Sequence, residues 1–492
     1  GCPPPQAPLS FAFSSLWCKP QAISAHMQSP PIPTPASHAG TGRVRGPDAT
    51  AGTMGWKQAG FIMFAFAAPS ACIGVAYSLG MAGLVGGSLI CVITTLASIW
   101  GSMMLLQIRL HFRDCYTFGD LGDKVMGTPG KIWGNTIQLA NFVLFLPVAL
   151  LLCAEALQGV VQITAFQGCN DYYIFLIATL CLLTTQVRKL SNTQVLSVIS
   201  ILCVLGMAVL QIVAAVMYEN ETKVEALAFG NPEEHWLTRT SEALLGTTTA
   251  AWAYVPAFLT VELATCMQEP KHFGWSLALS GVLNIVVFLG VGITVVARWG
   301  YDVTDPITLV KVAAWKQGNW LNTTLSACLL IGNFVSYMLD SVPLGRYCQK
   351  VWAPGFGDSW STGDIAKYLM YTLPTFLFGL VLSVVVPNLF VLLAFTTALT
   401  VPWVTQIYPA VLYLRLFASE DGAAARLLAS AEDSTTQVKM ATTSEKVRAY
   451  LVLIVGSVSF VVCLLAAIGK VAIAELRGPS QIGCGSWLIW SG

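Results

Sequence analysis

Four stretches of this chain set polar or backbone-breaking residues inside apolar surroundings, where they could do chemistry. The first is Gly246–Pro270, GTTTAAWAYVPAFLTVELATCMQEP. It is apolar enough to cross a membrane, yet it carries Pro256 near its middle and Glu262 beyond it. Proline removes a backbone donor and collides with the preceding turn, so a helix here should kink or break. At bilayer depth a broken helix survives only where the freed backbone is buried in protein or lines a polar cavity. A carboxylate at that depth faces a partner, a cavity or a proton. Glu262 is thus either a proton-coupling group or a fixed residue that holds the broken helix in place.

The second stretch is Pro69-Ser70-Ala71-Cys72-Ile73-Gly74-Val75-Ala76-Tyr77. Its proline and small residues permit an unwound turn or, equally, close helix packing. Interrupted spans at position one and, five later, at position six form the pattern of an inverted-repeat transporter. In such proteins exposed amides meet a carboxylate and freed carbonyls can hold a cation. The third stretch places Asn141, Glu155, Gln158 and Gln162 on one helical arc of about 100°, with Gln138 at its edge. These residues either satisfy one another in the interior or line a path along which Glu155 titrates. In the fourth, Asn333, Ser336, Tyr337 and Asp340 follow helical spacing. Asn333 and Ser336 could complete an oxygen site for Na⁺ against the first span, or hydrogen-bond between helices. Asp340 is expected near the cytosolic end, where water would solvate it.

The elements that must position these residues are membrane helices. Of the 492 residues 55% are hydrophobic and 10% charged, whereas a soluble protein carries about a quarter charged residues. A net charge of +1 offers no field for nucleic acid. The five histidines lie outside or at the ends of apolar runs, which argues against a buried metal site. About eleven runs reach spanning length, taking roughly 20 residues per crossing. They are 60–82, 84–107, 135–164, 173–188, 194–218, 242–267, 275–299, 320–340, 366–386, 388–413 and 449–475. The segments 108–134 and 414–448 read as connecting loops.

Most of the 26 lysines and arginines fall on one side if the N-terminus is cytosolic, which orients the chain and puts both of those loops inside. Asn220-Glu221-Thr222 then lies outside, where it could be glycosylated. Most of the 14 cysteines sit in or beside apolar runs as small hydrophobes. Cys169 and Cys484 fall outside and are the pair a disulfide would join. Residues 1–53, rich in Pro, Ser and Ala, read as a disordered cytosolic tail. Met54 is a workable start, so the tail need not belong to the native protein. Residues 54–478 form the membrane domain and 479–492 a C-terminal tail.

At these positions the chain resembles the amino acid/auxin permease family of the amino acid–polyamine–organocation group. Tyr77-Ser78-Leu79 with Gly83 and Gly87 is similar to that family's Tyr-Ala-Met…Gly…Gly pattern. Tyr116…Leu121-Gly122…Gly127 resembles its Tyr-x-x-Leu-Gly…Gly segment, and Gln138-Leu139-Ala140-Asn141 its Gln-x-x-Asn. Ala253-Tyr254, Val261-Glu262-Leu263-Ala264-Thr265 and Pro270 look like its Ala-Tyr…Leu-Glu-Ile-Gln-Ala-Thr…Pro, and Gly300…Val303-Thr304-Asp305-Pro306-Ile307 like its Gly-x-x-Val-x-Asp-x-Ile turn. The matches run in order over residues 55–310. Where the family often has Gly and Pro this chain has Ala71 and Ala76, and where it has Gly-His this chain has Val255-Pro256, so the family's substrate preference does not transfer.

The resemblance implies an all-α membrane protein of about 11 helices, a 5+5 inverted repeat like that of the bacterial leucine transporter plus one extra helix. It also implies cation-coupled uptake of amino acids, with H⁺ or Na⁺ as the coupling ion and no other cofactor. The expectation is a monomeric, non-enzymatic carrier in a plasma, vacuolar or lysosomal membrane. Backbone at Ser70, Ala71, Cys72, Ile73 and Gly74 would bind the substrate carboxylate. Asn141, Tyr254 and Pro256 would shape the pocket, and Glu155, Glu262, Asn333 and Ser336 are the ion-coupling candidates. A non-transporting amino acid sensor of the same fold, with its loop 416–448 or N-terminal tail contacting cytosolic proteins, is the alternative.

Overall fold

The computed structural model describes residues 52–112, 114–161, 170–187, 193–217, 235–252, 256–300, 320–352, 361–386, 389–418 and 440–476. All belong to one compact unit, Thr50–Gly492. Tyr254, Gln162, Cys169, Cys484, the 220–222 sequon and most of the 416–448 loop lie outside the described residues.

Helices account for nearly all of the described chain. In order they are α1 (Trp56–Met81), α2 (Leu84–His111), α3 (Phe118–Met126), α4 (Thr128–Val161), α5 (Asn170–Thr184) and α6 (Gln194–Met217). Then follow α7 (Trp236–Trp252), α8 (Thr260–Cys266), α9 (Phe273–Trp299), α10 (Trp320–Trp352), α11 (Thr362–Val385), α12 (Leu389–Pro402), α13 (Tyr408–Phe417) and α14 (Thr443–Leu476). Within the described residues each expected apolar run is mainly helical, the sixth with a 3₁₀ turn at Pro256–Leu259. Among the described residues, eight helical segments are long and apolar enough to span a membrane, and α1 makes up to nine if its two halves count as one span. The fourth run yields the shorter apolar segment Asp171–Thr184.

The segment 108–134 is not the loop that its charges suggest. Thr117 caps α3 by accepting the Asp120 N–H at 3.1 Å, while the Asp120 carboxylate accepts the Thr117 N–H at 3.0 Å. This reciprocal cap satisfies two donors that a helix start leaves free. Phe118, Leu121 and Val125, spaced for one helical face, are all buried. The tenth run is also not one regular helix, because a π-helical turn, Trp403–Ile407, separates α12 from α13. Pro409 has no N–H to offer Thr405, and α2 presses against that point. A Cβ on Gly101 would lie 2.0 Å from the Thr405 carbonyl oxygen, so only glycine permits the approach.

Helix α1 is the centre of the packing, in contact with α2, α6, α7, α9 and α10. It remains helical through the stretch where an unwound turn was open, but it is bent by 57° between Trp56–Cys72 and Gly74–Met81. It runs antiparallel to α7–α8 and is fastened to them at both ends. Ser78 donates to the Gly246 carbonyl at 2.7 Å. At the other end Met54 N–H donates to Cys266 O at 3.1 Å, and Gln268 N–H donates to Met54 O at 2.9 Å.

Candidate functional site

The site begins with what Pro69 removes. A proline at this position cannot donate to the carbonyl four residues back, so Ala65 O loses its intrahelical partner. Two other helices supply replacements. Ser200 of α6 donates to Ala65 O at 3.3 Å. Ser336 of α10 lies 2.8 Å from Phe66 O and 3.3 Å from Ala65 O, and also reaches its own Gly332 O at 3.1 Å. Close approach depends on Gly332, where a Cβ would stand 2.9 Å from the Pro69 ring. Ser200 and Ser336 are both fully buried. Asn333, one turn from Ser336, is buried too. Its amide donates to Leu329 O at 3.1 Å, while its Oδ1 has no hydrogen-bond partner among the described residues. The Ala65 and Phe66 carbonyls with the Ser200 and Ser336 hydroxyls form a hard, uncharged oxygen set of the kind that suits an alkali cation, and Asn333 stands one turn from Ser336 on α10.

The bend of α1 stands level with the interruption between α7 and α8. On one side Gly74 faces Thr249, whose Cγ2 would be 2.8 Å from an added Cβ. On the other, Phe66 meets Phe258 edge to face, with ring centroids 5.1 Å apart. Phe258 also meets Phe142 at 5.2 Å, while Phe145 stacks on Phe66 at 4.8 Å and on Trp252 at 5.5 Å. These rings are all buried. They connect α1, α4 and both flanks of the interruption, using the offset and edge-on geometries that ring quadrupoles favour.

Other expected site residues fall as follows. Ser70 donates to Ala67 O at 3.2 Å, and Ala71, Cys72 and Gly74 are buried. Cys72 accepts from the Gln211 amide of α6 at 3.5 Å. Ile73 marks the bend, and Pro256 opens a short 3₁₀ turn, Pro256–Leu259. Asn141 is 1% exposed, and neither its amide nitrogen nor its oxygen has a hydrogen-bond partner among the described residues. It lies between Gln138 and the Phe142–Phe145 cluster on α4. Glu155 is half-buried farther along the same helix.

Gln138 does not pair within its own stripe. Its amide donates to Glu262 Oε1, and its carbonyl oxygen accepts the Phe118 N–H at 3.1 Å. Asp340 differs most from expectation. In place of a solvated position it is fully buried, because α10 continues to Trp352 and carries it well inside the bundle.

Ser200, Gln211, Phe66, Phe145, Trp252 and Phe258 were not singled out from sequence. The Ser200 and Gln211 positions are single polar residues in the apolar run of α6, and that was the available signal. The aromatic residues had none, since such residues fill any apolar helix.

Comparison with known proteins agrees with this architecture. Residues 52–436 match the family described as transmembrane amino acid transporter protein. No curated protein matches the sequence. Among solved structures, the chain is similar to one described as the substrate-bound outward-open state of a Na⁺-coupled sialic acid symporter with a novel Na⁺ site. That likeness has 12% sequence identity and a TM-score of 0.52, and covers 89% of this chain and 92% of the other. At such identity it is a likeness of fold.

Proposed function

The chain belongs to the family of transmembrane amino acid transporter proteins, and from that premise we propose that it carries amino acids or related small zwitterions across a membrane by alternating access, coupled to H⁺ or Na⁺. The observation that carries this reading is the oxygen cluster at Pro69, where α6 and α10 meet the Ala65 carbonyl freed within α1 and its neighbour Phe66 O, beside the level at which α1 bends and the α7–α8 span is interrupted. In this reading the bend at Ser70–Gly74 offers backbone to the substrate carboxylate. Asn141, Tyr254 and Pro256 line the remainder, and the Asn141 amide, without a protein partner among the described residues, takes a polar group of the substrate. A bound Na⁺ would take Ala65 O, Phe66 O, Ser336 Oγ and Asn333 Oδ1. The Ser336 hydroxyl, which here holds the two carbonyls, would turn its oxygen to the ion.

With the N-terminus cytosolic, the contacts of Met54 with Cys266 and Gln268, of Gln138 with Glu262, and of Phe66 with Phe258 all lie on the inner side. Together they are an inner gate, and inward opening has to break them. Substrate and cation shift that equilibrium only by binding one state better than the other. A buried oxygen cluster that exists while the gate is shut supplies such a difference. The test is uptake of a mixed labelled amino acid pool into proteoliposomes under separately imposed pH and Na⁺ gradients. Accumulation above equilibrium under one gradient is expected. Binding without accumulation under either would sink the carrier reading.

A further inference from the structure

Asp340 lies on α10 one turn beyond Ser336, on the same face by helical spacing. It is 0% exposed, and neither carboxylate oxygen has a hydrogen-bond partner among the described residues. Two other acids of the apolar spans are placed differently. Glu262 is engaged by Gln138, and Glu155 is half-buried and has a partner. An ionised carboxylate removed from water without a counter-charge or donor is among the most costly groups a protein can bury, so such a group neutralises instead. Inside a membrane that identifies a functional ionisable residue by default.

Among the described residues, no counter-charge is paired with Asp340. Against α10 pack α1, α4, α5, α6 and α11. Their charged residues are Lys57 on α1, Lys131 and Glu155 on α4, Asp171 on α5, and Asp364 and Lys367 on α11, while α6 has none and α10 itself adds Arg346 and Lys350. No ion pair joins any of these to Asp340 among the described residues. The titratable neighbours on this part of the bundle are uncharged in their ordinary state: Tyr337 on α10, Cys153 on α4 and Cys181 on α5, all buried. Asp340 also belongs to no group of three or more His, Cys, Asp or Glu side chains able to hold a metal ion among the described residues. A proton is the ligand that needs only the carboxylate.

A small cavity lies beside this turn of α10. Tyr337 and Ser341, three residues before Asp340 and one after, line a small cavity between α4, α5, α10 and α11 together with Thr185, Thr372 and Thr375. The space, about 10 Å³, is at the lower limit for a single water. Its lining is rich in hydroxyl groups, which can both donate and accept a proton, and the Tyr337 hydroxyl has no hydrogen-bond partner among the described residues.

We propose that Asp340 is a proton-binding site of the transport cycle, taking up H⁺ to become a neutral carboxylic acid while this face of α10 is closed and releasing it when the face opens to water. The proton enters from one aqueous side and leaves to the other, with nothing else consumed. This rests on the carrier reading above and adds the group that would couple it to a pH gradient.

The experiment uses the full chain in proteoliposomes, with exchange of labelled for unlabelled amino acid as a readout that needs no net proton movement. Asp340→Asn should lose accumulation driven by an imposed pH gradient, to the level of empty vesicles, while keeping exchange; Asp340→Glu should recover part of the accumulation. PH-driven accumulation by Asp340→Asn at the level of the unchanged protein overturns the proposal. So does accumulation by the unchanged protein under Na⁺ alone, with no proton movement, although that result leaves the carrier reading standing. If the unchanged protein neither accumulates nor exchanges, the carrier reading fails first. Infrared spectra of the purified protein then decide: a protonated carboxyl band at neutral pH that Asp340→Asn lacks and Asp340→Glu shifts supports the site, and its absence removes it. The two spectra also stand in for transport should Asp340→Asn fold poorly.

Discussion

Gln138 on α4 donates its side-chain amide to the Glu262 carboxylate on α8, and with its carbonyl oxygen accepts the Phe118 backbone N–H at 3.1 Å. One side chain thereby ties the start of α3 and the first half of α4 to the helix that follows the interruption. The Glu262 carboxylate thus ends a chain of two hydrogen bonds that runs through Gln138 to the Phe118 amide.

Gln138→Leu would leave the Glu262 carboxylate without that donor and the Phe118 N–H without its acceptor. A loss of about 1–3 kcal/mol is expected for each buried group left unsatisfied, read as a lower unfolding midpoint in detergent. Glu262→Gln keeps an acceptor for Gln138, so it should keep gradient-driven accumulation. Loss of accumulation with exchange preserved would instead make Glu262 the coupling acid.

Ser336→Ala removes the hydroxyl that α10 brings to Phe66 O and Ala65 O. Accumulation should fall and stability should drop by about 1–3 kcal/mol, whereas Ser336→Thr, which retains a hydroxyl, should keep most of both. The same geometry predicts coupling with Pro69. Pro69→Ala restores a backbone donor for Ala65 O, so Ser336→Ala should cost less stability in that background than in the native one. A double-mutant cycle measures the difference, and strict additivity would refute the link.

Asn141→Leu tests the substrate role of a buried amide that has no hydrogen-bond partner among the described residues. Removing a purely structural amide would lower stability. Here stability should hold or rise, because an unsatisfied polar group is replaced by an apolar one of similar size, while substrate affinity falls. Thermal unfolding and equilibrium substrate binding on the same purified sample separate the two effects.

Cys115, in the connection between α2 and α3, is 1% exposed. Burial, aided by the Asp114 and Asp120 carboxylates, pushes its thiol up to about 12 from an ordinary 9.0. The folded protein therefore keeps a proton that the unfolded chain releases above pH 9.0. The contribution of this group to stability is complete below that pH and declines as pH rises from about 9 toward 12. Alkylation by iodoacetamide at pH 8 should be slow at Cys115 in folded protein and fast after denaturation, as peptide mass spectrometry would record. Rapid labelling of the folded form would contradict the burial.

Much of the architecture could be read from local pattern. The apolar runs mark the helices because a helix crossing hydrocarbon must be apolar over its whole length. Pro69 and Pro256 mark the interruptions, since a missing N–H acts on the turn that contains it. The cap of α3 was written just as locally, in Thr117 and Asp120, but the surrounding charges made that segment look like a loop. The difference between a bent and an unwound α1 could not be read, because it depends on whether Ser200 and Ser336 arrive to take up the Ala65 carbonyl, and those residues come from α6 and α10.

Hydropathy and proline act over one span at a time, so they mark which segments are apolar helices and where two of them are weakened. Which polar residue answers which follows from how the helices pack. Gln138 meets Glu262 across 124 positions and Ser336 meets Phe66 across 270. Asp340 is sealed from water by α10 and the helices packed around it. In an apolar helix nearly every face is apolar, so periodicity hardly distinguishes a lipid-facing side from a buried one. The partner of a buried polar group is chosen by the neighbouring helix, and that choice exists only once the bundle has closed.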